Sequence, residues 1–137
     1  MTHPTAFLRY ALLGDAVASG ATGLLMLAGA SFLTNWLGLP TGLLRGAGLV
    51  LLPYAAFVAW LGTRPHPARA AIWAVVAINA LWAIESVLLL ASGWVAPTAL
   101  GVAFVLAQAI VVAGFAGAQA YGLRMSAAPA GQPLHGA

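Results

Sequence analysis

The chain has no cysteine, and its 137 residues include only two acidic side chains, Asp15 and Glu85. Without cysteine there is no disulfide, thiolate nucleophile, iron–sulfur ligation or cysteine-based zinc site. His3, His66 and His135 fall in polar segments without helix-spaced partners, so no metal site is expected. No HExxH, GxSxG, phosphate-loop or dinucleotide fingerprint occurs. The basic complement is five arginines, Arg9, Arg45, Arg64, Arg69 and Arg124, too few to build a nucleic-acid-binding face. An enzyme with a resident cofactor is therefore not expected.

What fills the chain instead is apolar sequence. Sixty-three per cent of the residues are hydrophobic and 5% charged, far below the quarter or so of charged residues usual in soluble domains. The central stretch 70–91, AAIWAVVAINALWAIESVLLLA, makes a helix about 33 Å long, enough to cross a hydrocarbon core of about 30 Å. Three further runs, at about 7–32, 41–61 and 98–121, have similar length and character. These predict an all-α fold, an integral-membrane four-helix bundle running up-down-up-down with short loops. The domain covers 1–125, and the Ala-, Pro- and Gly-rich tail 126–137 is expected to be disordered. Arg9 ahead of an apolar run, with Ala28-Gly29-Ala30 beyond, resembles a secretory signal, but Asp15 interrupts the run and its length exceeds a signal's needs.

Punctuation within the runs adds detail. Gly14, Gly20, Gly23 and Gly29 in the first, and Gly42-x-x-x-Gly46 in the second, predict surfaces where backbones approach closely. Pro53 predicts a bend in the second helix rather than its end. Arg9, Arg64, Arg69 and Arg124 all fall on one side, whereas the turns at Trp36 and Trp94 carry no charge. The positive-inside rule then makes both termini cytoplasmic. Tyr10, Trp60, Trp73 and Tyr121 gather near the inner interface and Trp36 and Trp94 near the outer one.

Polar groups inside the apolar runs are the candidate functional residues. Glu85 and Arg45 come out about 9 and 6 Å below the outer boundary, so an interhelical ion pair is expected between the second and third spans, the alternative being an Arg45 that snorkels to the head groups. Asp15, Tyr54, Asn79 and Gln108 fall nearer the middle, one from each span. Asp15 has no basic residue at its depth, which makes it the leading proton- or cation-binding candidate; the alternative is interhelical glue, hydrogen-bonded to Asn79 or Tyr54. The two carboxylates differ by about 10 Å in depth and make a poor acid/base dyad. Asn79 and Ser86 share one face of the third helix while Glu85 points about 100° away, so this helix is expected to be the most buried, with Trp82 packing between the two directions.

Segments 12–18 (LLGDAVA), 46–60 (GAGLVLLPYAAFVAW) and 77–90 (AINALWAIESVLLL) together resemble small four-span bacterial inner-membrane proteins, a group without an assigned function. The resemblance implies that location and helix count, and carries no catalytic residue or substrate. An acidic residue in the first of four short spans is also similar to small multidrug-resistance exporters, although no other part of their pattern is present. The expected function is thus that of a noncatalytic membrane protein acting through helix packing, partnered by the bilayer and by itself or another membrane protein. A small proton-coupled carrier using Asp15 is the competing expectation.

Overall fold

The computed structural model describes residues 5–127. Over this range the protein is all-helical: α1 (Ala6–Ala28), α2 (Ala30–Leu37), α3 (Thr41–Thr63), α4 (Arg69–Ser92) and α5 (Ala99–Ala127). Helices α1, α3, α4 and α5 are each long and apolar enough to cross a membrane, and they pack together as a bundle. The first apolar run is therefore two helices. At Gly29 the backbone leaves helical geometry (φ −98°, ψ 11°), and the short α2 begins on the next residue. At the other boundary, α5 continues to Ala127, six residues past its expected end, so Ser126 and Ala127 belong to the helix. The rest of the expected tail, 128–137, lies outside the described residues, as do His3 and His135.

Sequence determines how the helices end. Thr5 caps α1, its hydroxyl accepting from the Leu8 amide at 3.1 Å. Gly38 and Gly93 terminate α2 and α4 in the left-handed region (φ 69° and 79°), where a β-carbon would be strained. At the opposite end the arginines serve helix C-termini. Arg9 donates to the Gly62 and Arg64 carbonyls, and Arg69 to the Leu123 carbonyl, where orphan acceptors and the negative end of the helix dipole favour a cation. The Arg64 guanidinium lies 5.2 Å from the Trp60 ring centroid. We call this the arginine end and the other, where Thr98 joins the α2 and α5 turns through the Trp36 and Leu37 carbonyls, the tryptophan end.

The packing order differs from one expectation. Helix α1 is the most buried span and α4 the least. Helix α1 packs broadly on α3 and on α5, α5 on α4, and α3 and α4 barely touch. The physical reason lies in side-chain size along each seam. Between α1 and α3, a β-carbon on Gly48 would lie 2.7 Å from the Gly23 carbonyl oxygen, so only glycine allows that approach. At Gly42 and Gly46 an added β-carbon would meet nothing within 4 Å. Among the described residues nothing packs on those two glycines; they leave space within the bundle. Pro53 interrupts no helix, since α3 runs through it.

Two apolar clusters fill the interior. Leu8, Leu12, Val58, Leu61, Ile72 and Leu123 form one at the arginine end, and Met26, Leu37, Leu44, Leu51 and Val105 one at the tryptophan end.

Candidate functional site

Between these clusters lies a buried polar knot. Asp15 of α1 is 1% exposed, Asn79 of α4 3% and Gln119 of α5 fully buried, and Tyr54 reaches in from α3. Counted from the arginine end of each helix, all four sit about 12–15 Å deep, which is why four independent helices deliver them to one point. The Asp15 carboxylate accepts four hydrogen bonds. Ser19, one turn on along α1, donates to Oδ1 at 2.9 Å. Tyr54 (2.8 Å), Asn79 Nδ2 (2.9 Å) and Gln119 Nε2 (2.8 Å) donate to Oδ2.

The remaining capacity of the knot is used within it. Asn79 Nδ2 also donates to Gln119 Oε1 at 3.0 Å, and Gln119 Nε2 reaches the Ala11 carbonyl at 3.5 Å. The Tyr54 hydroxyl has two acceptors at 2.8 Å, Asp15 Oδ2 and Asn79 Oδ1, for its single proton. Four donors, rather than a basic side chain, thus answer the carboxylate, and every helix that spans contributes one. Chemically this is a crosslink, with one proton position that can alternate at Tyr54.

The structure brings Asp15, Tyr54 and Asn79 together and leaves Gln108 out. Gln108 lies about 14 Å from the tryptophan end, on the far side of the bundle's midplane from the knot. There its Oε1 accepts from Trp82 Nε1 (2.9 Å) and its Nε2 donates to Ser86 Oγ (2.8 Å) and the Val105 carbonyl (3.0 Å). Gln119 takes the α5 place in the knot. An α5 ending at Tyr121 puts Gln119 at the interface; ending at Ala127 puts it level with Asp15. Arg124 carried the missing signal, since a charged residue marks the wet end of a span.

Arg45 and Glu85 do not pair. Arg45 Nη2 donates to Ser31 Oγ on α2 at 3.1 Å, and among the described residues nothing hydrogen-bonds to or forms an ion pair with Glu85. Similar depth is not proximity: Arg45 is turned about 100° around α3 from Gly46, which faces α4. Between the glycine face of α3 and the Glu85 face of α4, with α5 behind, lies an open cleft of about 440 Å³. Its lining includes Gly42, Gly46, Trp82, Glu85, Leu89 and Phe104. Two smaller pockets lie nearby, one of about 240 Å³ mainly between α1 and α5 and one of about 40 Å³ lined by Ser19, Tyr54 and Asn79, and Trp82 borders all three.

Among the described residues no three His, Asp or Glu side chains gather as a metal site. Compared with protein-family models, curated proteins and solved structures, the chain matches none. The site's geometry is thus the only guide to what it does.

Proposed function

We propose that this is a noncatalytic multi-pass protein of the bacterial inner membrane, with both termini cytoplasmic, that acts through its packed helices as a homo-oligomer or as a subunit of a membrane complex. The observation that carries the reading is the closed knot: the carboxylate best placed for proton or cation transport is occupied by four donors from its own bundle. A group so satisfied holds helices together and has little left to offer a substrate. The arginines gathered at one end support the orientation.

The second reading is a small proton-coupled carrier. It is favoured by the cleft beside Glu85 and the small cavity lined by Tyr54 and Asn79, which share Trp82 as a wall. Asp15→Asn separates the two. The amide keeps the size, one acceptor oxygen toward Tyr54, Asn79 and Gln119, and a donor toward Ser19. A structural knot predicts a folded protein whose assembly, measured as the intact mass of the complex extracted in gentle detergent, equals that of the wild type. Proton-linked flux in liposomes that is present in wild type and lost in a correctly assembled Asp15→Asn protein would reject the structural reading.

A further inference from the structure

We propose that the cleft between α3, α4 and α5 binds a lipophilic monocation, a protonated amine on an apolar body, with Glu85 as its counter-ion. The cavity, about 440 Å³, falls in the range of roughly 300–1,000 Å³ typical of small-molecule sites. Its walls are mainly apolar: Leu43, Leu89 and Phe104 beside the bare backbone of Gly42 and Gly46. The polar groups at its base are committed to one another. Trp82 donates to Gln108, Gln108 to Ser86, and Ser86 to the Trp82 carbonyl. Glu85 is left as the one charged group of the lining, without a partner among the described residues.

A carboxylate in an apolar, membrane-level cleft is expensive unless something answers it. The nearest candidate by depth, Arg45, is held by Ser31 on another face. An anion would be repelled, and a neutral molecule would leave the charge unanswered. An amine on a hydrocarbon body satisfies both halves of the site at once. Glu85 also lies about 10 Å, two helical turns, below the end of α4. A phospholipid head group anchored at the surface does not reach that level, whereas a free amine of modest length does.

The experiment uses the full-length protein in phosphatidylcholine nanodiscs and two photoreactive probes, decylamine and decanol, each with a diazirine near the chain end. Labelled positions are mapped by mass spectrometry. Decylamine is expected to label cleft residues such as Leu43, Trp82 and Leu89 at least tenfold more than decanol does, a comparison that needs no variant. Glu85→Gln should remove that preference and leave decanol labelling unchanged. Gly46→Leu, where a new β-carbon meets no neighbour, should fill the cleft and suppress both labels. Equal labelling by amine and alcohol in the wild type would overturn the proposal. So would a preference that survives Glu85→Gln, or labelling unaffected by Gly46→Leu. Suppression of the amine label when phosphatidylethanolamine replaces phosphatidylcholine would assign the cleft to a bilayer lipid and overturn the free-amine occupant.

Discussion

The two carboxylates of this protein sit in opposite circumstances, although each belongs to a helix that spans. Asp15 lies where four helices converge, buried under donors from each of them. Glu85 lies where α3 and α4 diverge, facing a cleft and unpartnered among the described residues. What separates them is the glycine geometry of the neighbouring seams. Gly23 and Gly48 draw α1 against α3 until backbones touch, and the same close packing carries Tyr54 to Asp15. Gly42 and Gly46 face the gap, so the corresponding half of α3 stands away from α4. An identical residue type thus tightens one half of the bundle and opens the other.

The sharpest way to break that contrast is to add the same side chain to both glycine faces. Gly48→Leu places a β-carbon within 2.7–3.0 Å of Gly23 and Leu27 atoms and should cost about 3 kcal/mol or more, seen as loss of a cooperative thermal transition in detergent. Gly46→Leu meets no neighbour and should melt close to wild type. Equal effects would mean that the seams are alike.

Removing the carboxylates comes next in size. Asp15→Ala leaves the amides of Asn79 and Gln119 without their shared acceptor, at a cost of about 2 kcal/mol. Glu85→Ala removes no hydrogen bond and should stay within about 0.5 kcal/mol of wild type. If Glu85→Ala proves the more destabilising change, the closed and open halves have been assigned the wrong way round.

A smaller effect distinguishes the two glutamines of α5. Gln119→Leu should cost about 1 kcal/mol and show a coupling of about 0.5 kcal/mol or more with Asp15→Ala in a double-mutant cycle, because the two side chains share one network. Gln108→Leu should be additive with Asp15→Ala within about 0.3 kcal/mol, since no hydrogen bond links them. Coupling at Gln108 would move it back into the knot.

The smallest expected value is itself informative. Arg45→Ala and Glu85→Ala should combine additively within about 0.3 kcal/mol, the signature of two charges on different faces. A coupling well above that would restore the ion pair that their common depth suggests.

Much of the architecture is written in composition and spacing. Four long apolar runs, bounded by turn residues and by arginines, can satisfy their backbones in lipid only as helices. The number of spans, the polarity of the two ends and the common depth of Asp15, Tyr54 and Asn79 follow from counting along single helices, because depth in a span is a one-dimensional quantity. Its errors have one-dimensional causes too: an α5 boundary set six residues early exchanged Gln108 for Gln119. Rotation and separation are another matter. Arg45 and Glu85 share a level but not a face, the glycines at 42 and 46 look like those at 23 and 48, and α4, whose polar residues point in two directions, is the least buried span. Which faces meet depends on how all four helices pack at once. That collective choice, absent from any one segment, decided that Asp15 is enclosed and that Glu85 faces a cleft.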